Sequence, residues 1–379
     1  MGDRIAAMHS SEYRGIDGPD DPAPYRSIVR PAGERHVVVL DQRALPHAVL
    51  PVRLDDMNVA AEAIRSMWVR GAPLIGAVGA YGLALALDRD GSDAALARAH
   101  AALDATRPTA VNLRWALDRV RNVVAPLAPS ARAAAAWSEA DRLLAEDVSI
   151  NHAIGVHGLA ILETIAARRP GPVNVMTHCN AGALATCGWG TATSPIFLAH
   201  ARGLPVHVWV SETRPRLQGA NLTAWEMARR GVPHTLFVDG ASAHLMRRGE
   251  VDLVITGTDR VARNGDVCNK IGTYDKALAA RDNGVPFYIG LPSPTLDTTI
   301  ADGDAIPIEA RSADEVLSVW GRGDDGTATR SGIAPPGTRA INPAFDVTPA
   351  RLITGLVTER GIASASPGGL AQLFPERYR

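Results

Sequence analysis

Cys179 stands at the end of an apolar run in VNVMTHCNAGALATCGWGTATSP (residues 173–195), with Thr177, His178 and Asn180 beside it and glycines after it. A free cysteine next to an apolar strand commonly serves as inert packing. At a strand end, ahead of a Gly-containing turn and a helix N-terminus, the helix dipole would instead favour the reactive thiolate. Asp259, in VDLVITGTDRVARNGDVCNKIGTYDKA (residues 251–277), directly follows a second apolar run. Partial desolvation there would raise its pKa towards a general-acid value; an ion pair with Arg260 or Arg263, or a capping role, is the alternative. Asn269 and Lys270, expected to open the next helix, offer an amide, an ammonium and backbone N–H groups to a phosphate or to sugar hydroxyls. Simple helix capping with a solvated lysine would use the same pair.

Further cations lie on three other segments. In WVRGAPLIG (residues 68–76), Arg70 can grip a phosphate with two donors, Gly71 allows close backbone approach, and Ala72 and Pro73 begin a helix. A plain helix–helix corner also uses Gly and Pro. TRPTAVNLRW (residues 106–115) repeats the arrangement, with Arg107 and Pro108 opening a helix, and SETRPRLQGANLTAWE (residues 211–226) adds Arg214, Arg216 and Gln218. Arginine-bearing loops gathered on one rim would make a site for an anionic small molecule.

Competing chemistries fit poorly. GWGTAT (residues 188–193) has two glycines of the dinucleotide fingerprint but lies past the strand end, in a helix-like stretch, and lacks the third residue, so no nucleotide cofactor is expected. His178 and Cys179 are adjacent on an extended segment and point to opposite sides, with no third ligand spaced to join them, so no metal is expected. There is no GxSxG elbow. Cys187 and Cys268 are read as structural residues in, or at the start of, helical stretches. Three cysteines without a CxxC unit make a disulfide framework or zinc knuckle unexpected.

The elements that must position these residues follow from the hydrophobic pattern. VNVMTH, VHVWVS, HTLFVD, VDLVIT and PFYIG are short, nearly continuous apolar strands alternating with helical stretches, the signature of a parallel sheet covered on both faces. The expected fold class is therefore α/β: a Rossmann-like, doubly wound domain over residues 170–379, preceded by a small sheet plus helical amino-terminal domain over residues 26–129. In such sheets ligands bind beyond the carboxyl ends of the strands, where Cys179, Asp259 and the Arg214 loop fall. The segment 35–42 reads as a strand, and 50–54 as its partner. A long proline-free run, residues 130–169, is expected to form a linking helix, with Gly155 and Gly158 as weak points. Residues 1–25 are polar, contain Gly, Pro and Asp, and read as a flexible extension without the apolar core of a secretory signal.

Composition limits the partners. The chain has 379 residues, 46% hydrophobic and 21% charged, with a formal net charge of -1, which argues against a nucleic-acid partner. The longest apolar run, residues 72–87, is shorter than the roughly 20 residues a membrane span needs and reads as a buried helix. The expectation is a cytoplasmic protein without a membrane partner.

Taken together, RGAP (residues 70–73), RPTAVNL (107–113), THCNAGALAT (177–186), ETRP with LQGANLTAWE (212–226), DRVARNGDVCNKIGTY (259–274) and NPAFDVTPA (342–350) strongly resemble the S-methyl-5-thioribose-1-phosphate isomerase family of methionine salvage. The resemblance covers residues 41–362. It implies a cofactor-independent aldose–ketose isomerase and a homodimer, acting on a phosphorylated pentose. It further implies that Cys179 is the catalytic thiol, that Asp259 is the proton donor, and that Arg70, Gly71, Ala72, Arg107, Gln218, Asn269 and Lys270 hold the substrate. The wider family includes isomerases of 5-deoxyribose 1-phosphate and ribose 1,5-bisphosphate, and non-catalytic regulatory subunits of a translation-initiation exchange factor. Thr258 stands where the family usually has alanine and is expected to alter the hydrogen bonding of Asp259. Residues 290–297 also depart from the usual pattern, which leads us to expect Ser293 near the sugar's fifth carbon.

Overall fold

The computed structural model describes residues 26–107, 110–323 and 327–378; the expected amino-terminal extension and Pro108 lie outside the described residues. Strands β1 (Ile28–Val29), β2 (Val37–Leu40) and β3 (Pro51–Leu54) form an antiparallel sheet, as the pairing expected of segments 35–42 and 50–54 requires. Alternation along β2 serves two cores: Val37 and Val39 pack into the helices, whereas Val38 and Leu40 meet Ala183, Leu184 and Leu222 beside the later site.

Five helices follow: α1 (Met57–Arg65), α2 (Ala72–Arg89), α3 (Asp93–Asp104), α4 (Val111–Val124) and α5 (Pro129–Ala166). Asp56 caps α1 and Ser92 caps α3 by accepting first-turn N–H groups. Helix α2 is buried along most of its length and packs against α4 and α5, as its apolar composition requires. Helix α5 contributes Ala136, Trp137, Ala140 and Leu143 to the helical core and Leu159 and Leu162 to the core of the large sheet. Gly155 and Gly158 do not weaken it. A Cβ at Gly155 would lie 2.1 Å from Ser194 Oγ and one at Gly158 2.4 Å from Pro195 Cγ, so both glycines let a neighbouring helix approach. Among the described residues α5 is the one helix long and apolar enough to cross a membrane, and it packs instead on α2, α4 and the helix that begins at Ser194.

The remaining elements are β4 (Val173–Thr177), α6 (Ser194–Ala201), β5 (Val206–Ser211), α7 (Ala224–Arg229), β6 (His234–Phe237), α8 (Ser242–Arg247), β7 (Leu253–Thr256), β8 (Arg260–Ala262), β9 (Val267–Lys270), α9 (Thr273–Asp282), β10 (Phe287–Gly290), β11 (Leu296–Asp297), α10 (Asp314–Leu317), β12 (Ser318–Arg322), β13 (Ala328–Gly332), β14 (Phe345–Thr348), β15 (Gly355–Thr358), β16 (Gly361–Ala363) and α11 (Pro367–Leu373). The large sheet has the order β16-β15-β10-β7-β4-β5-β6, and all pairs are parallel except β15 with β16. The five sequence-predicted strands are all in it. The chain starts at β4, runs outward through β5 and β6, and returns to lay β7 on the other side of β4, registered by Val175 opposite Leu253 and Met176 opposite Val254. The gap between the carboxyl ends of β4 and β7 is the topological switch point, where open α/β sheets bind ligands.

A second sheet, β11-β8-β9-β14, is inserted between strands of the large one, β8 and β9 after β7 and β11 and β14 after β10, and β12 with β13 forms a hairpin. The structure differs from two expectations. Asn269, Lys270 and Cys268 lie on β9 rather than in a helix, because the next helix begins only at Thr273. Cys187 and residues 188–193 occupy an irregular segment between the short helical turn Ala183–Ala185 and α6.

Candidate active site

Cys179 lies two residues beyond β4 and Asp259 three beyond β7, one on each side of the switch point. Cys179 is 5% exposed and adopts φ +60°, a left-handed conformation that costs a non-glycine residue about 1–3 kcal/mol. Its N–H donates to Thr213 Oγ1 at 2.8 Å and its carbonyl accepts from Thr223 Oγ1 at 2.6 Å. No helix starts at this thiol: α6 begins only at Ser194. A guanidinium stands beside the sulfur instead. Arg70 Nη2 is 3.6 Å from Cys179 Sγ, and Nη1 donates to the backbone oxygen and Oδ1 of Asn180, each at 2.7 Å.

Asp259 is fixed by its N–H, which donates to the Cys268 carbonyl at 3.0 Å. Burial pushes its carboxyl above the usual aspartate range, against the pull of Lys270, Arg70 and Arg107. Burial likewise pushes the Lys270 ammonium down, opposed by Cys179 and Asp259. The arginines adjacent in sequence are engaged elsewhere: Arg260 faces Asp297 at 3.9 Å and Arg263 lies over the Tyr378 ring. The Thr258 hydroxyl donates to the carbonyls of Arg260 and Cys268, both at 3.1 Å, so it braces the turn and leaves the Asp259 carboxyl alone.

A cavity of about 750 Å³ opens between the start of α2, the inserted sheet and the β12–β13 hairpin. Arg70, Gly71, Ala72, Arg107, Gln218, Asp259 and Lys270 all line it, so most of the substrate-binding residues expected from sequence converge on one space. Gly71 has φ +98°, and a Cβ there would sit 2.3 Å from the Ala185 oxygen; the glycine is what brings Arg70 against the Cys179 loop. Gln218 is 8% exposed with its Oε1 unpartnered among the described residues, an acceptor available to a ligand hydroxyl. Cys179 is not part of the cavity wall but sits immediately behind Arg70.

Three expected residues are elsewhere. Alternation on β9 aims Cys268 and Lys270 at the cavity and Asn269 away from it, where its amide donates to Thr273 Oγ1 at 2.9 Å. Arg214 directs its guanidinium to the carbonyls of Pro215 at 2.7 Å and Val316 at 2.8 Å, and so holds the insertion rather than facing the cavity. Ser293 lies outside the cavity lining, its N–H donating to Glu359. Sequence reasoning missed Arg311, which lines the cavity and joins Glu309 at 2.8 Å and Glu315 at 2.6 Å. Glu309 also meets Arg107 at 3.3 Å and Glu315 meets Arg216 at 2.8 Å, so alternating charges run along that wall. No local motif marks Arg311; it reaches the site only through the insertion.

His178 is buried, its Nε2 bonded to the Ile271 carbonyl at 2.8 Å and its Nδ1 facing Thr213 Oγ1 at 3.4 Å. Burial, helped by Lys276, pushes its pKa down to about 3, so the imidazole is neutral and structural.

Comparison with known proteins shows the family. Residues 68–365 match the Initiation factor 2 subunit family. The methylthioribose-1-phosphate isomerase of Rhizobium meliloti (strain 1021) is 59% identical over 356 residues, 93% of this chain and 98% of the relative. That of Cereibacter sphaeroides (strain KD131) is 59% identical over 357 residues, 94% of this chain and 98% of the relative. Among solved structures, 5-methylthioribose 1-phosphate isomerase from Pyrococcus horikoshii OT3 superposes with a TM-score of 0.81 at 38% identity, covering 93% of this chain and 96% of that one. The translation initiation factor eIF-2B subunit delta from A. fulgidus gives 0.77 at 34% identity, covering 92% and 99%. The chain belongs to the methylthioribose-1-phosphate isomerase family, within the wider Initiation factor 2 subunit family.

Proposed function

We propose that this protein converts S-methyl-5-thio-α-D-ribose 1-phosphate to S-methyl-5-thio-D-ribulose 1-phosphate, the isomerisation step of methionine salvage. The observation that carries the reading is the pairing of Cys179 and Asp259 across the switch point, with Arg70 and Lys270 near both. A site that only binds a sugar phosphate has no need for an acid and a thiol at the ends of adjacent strands.

The substrate explains the residues. Its anomeric oxygen carries the phosphate, so the ring cannot open through a free aldehyde and the enzyme must drive ring opening. Asp259, whose protonated form burial favours, donates its proton to the ring oxygen as the bond from that oxygen to C1 breaks. Arg70, Arg107 and Lys270 receive the phosphate dianion. Neutralising these cations removes the groups that pull the Asp259 pKa down, so substrate binding itself favours the acid form.

Two routes then balance. In one, the C2 hydrogen shifts to C1 with its electron pair while the C2 hydroxyl proton passes to the Asp259 carboxylate. In the other, the Cys179 thiolate removes the C2 proton to give an enol phosphate and returns a proton to C1, with the same transfer from the C2 hydroxyl. Turnover in D2O separates them: deuterium at C1 of the product marks the proton route. The reading also carries a homodimer in the cytoplasm, which sedimentation and fractionation test.

The direct test is turnover of purified protein with methylthioribose 1-phosphate, 5-deoxyribose 1-phosphate and ribose 1,5-bisphosphate side by side. The proposal expects the highest kcat/KM with the first. Binding of all three without turnover of any would replace it with a regulatory role.

A further inference from the structure

Cys179 would not hold its left-handed backbone unaided, and the groups that hold it are two buried hydroxyls. Thr213 and Thr223 are each 0% exposed, and buried hydroxyls persist only where they are hydrogen-bonded. The Thr213 hydroxyl faces two acceptors, the Ser211 carbonyl at 3.0 Å and His178 Nδ1 at 3.4 Å, and its one proton goes to these, which leaves a lone pair for the Cys179 N–H at 2.8 Å. Thr213 is itself at φ +65°, unusual for a β-branched residue, and it is pinned there by Asp239, which accepts its N–H at 2.9 Å and that of Arg214 at 2.7 Å. On the other side, Thr223 Oγ1 donates to the Cys179 carbonyl at 2.6 Å and accepts from Asn180 Nδ2 at 3.2 Å. Asn180 in turn holds Arg70 with two oxygens, and Glu226 accepts from the same Asn180 amide at 3.1 Å.

We propose that Thr213 and Thr223 are positioning residues that clamp the two peptide groups of Cys179 and so aim its sulfur at the space Arg70 closes. Thr213 fixes the thiol from the loop after β5, and Thr223 couples it to the residue that orients its cation. Neither hydroxyl touches the cavity. Their effect is on the placement of the sulfur, and a displacement of about 1 Å is worth on the order of 100-fold in rate. The inference rests on Cys179 being the reacting thiol.

The experiment compares Thr213→Val, Thr213→Ser, Thr223→Val and Thr223→Ser with the wild type. It reads kcat, KM, melting temperature and the rate of Cys179 alkylation by iodoacetamide, followed by peptide mass spectrometry across pH. The valine variants keep the branched shape without the hydroxyl. They are expected to lose about 10- to 100-fold in kcat with KM within about 3-fold, and to shift the pH profile of alkylation. The serine variants restore the hydroxyl and are expected to return kcat to within about 3-fold of wild type. If one valine variant does not fold, the other carries the same prediction from the opposite peptide. Valine variants with wild-type kcat and alkylation profile, or serine variants as slow as valine, would overturn the clamp. Wild-type protein that turns over no sugar phosphate would refute the functional reading, while the alkylation profiles would still decide the clamp.

Discussion

Arg70 and Cys179 lie 3.6 Å apart, guanidinium to sulfur, although they are brought together from the start of the second helix and the end of the first strand of the large sheet. The same guanidinium holds Asn180 by two hydrogen bonds, so its position over the thiol is fixed by geometry as well as by charge.

Replacing this fork with a point charge should therefore fail. Lysine cannot meet Asn180 and Cys179 together. Arg70→Lys is expected to lower kcat/KM by about 100-fold or more, and Arg70→Ala by at least as much. Steady-state kinetics with a melting curve for each variant checks this; near wild-type kcat/KM in Arg70→Lys would show that only the charge matters.

The Asp259 acid should be visible in the pH profile. Burial raises its pKa, so the protonated form that donates persists to higher pH than for a free aspartate. Activity through this group is present below its folded-state pKa and lost as pH rises through it. The kcat/KM profile should show that descending limb in the wild type, and Asp259→Asn should lose it together with about 100-fold or more of the rate.

Much of this arrangement is legible in the sequence, and the illegible parts share a cause. LVIT, buried on both faces, and VHVWVS, whose valines are buried while His207 and Trp209 are half-buried, identify strands, and the residues that end them must then lie on one rim. The inserted sheet is different: β8, β9 and β11 are two to four residues long and lie among Gly, Asn and Asp, so no periodicity develops. That is why Lys270 reads as a helix start, why Asn269 is paired with it although alternation turns it away, and why Arg311 is not seen at all. The resemblance implies Cys179 and Asp259 as a pair; the strand order places them on the two sides of the switch point.

Gly71 makes a sharp steric prediction. A methyl group there meets the Ala185 backbone at 2.3 Å in a conformation alanine avoids. Gly71→Ala is expected to cost more than about 2 kcal/mol of stability and to reduce activity well beyond the stability loss, because Arg70 moves with the turn. Chemical denaturation and kinetics on the same preparation would separate the two effects.

Asp147 ties stability to pH. Its carboxylate accepts the Cys187 N–H at 2.7 Å, and burial raises its pKa to about 6. A raised folded-state pKa means the native state holds the proton more tightly than the unfolded chain. The stability it contributes is thus present below about pH 4, the unfolded value, and lost as pH rises through about 6. Asp147→Asn should keep the acceptor without the titration. Its melting temperature should fall less than that of the wild type between pH 5 and pH 7.5; an equal or larger fall would refute the assignment.

The most direct test of the central claim is single-turnover conversion of methylthioribose 1-phosphate by Cys179→Ser, Asp259→Asn and the double variant, with substrate affinity measured separately by calorimetry. If the two groups act together across the switch point, each single variant should lose about 100-fold or more in rate with affinity within a few-fold of wild type, and the double variant should be little slower than the worse single one. Near wild-type conversion by either single variant would contradict the account, because chemistry would then be proceeding without one member of the pair.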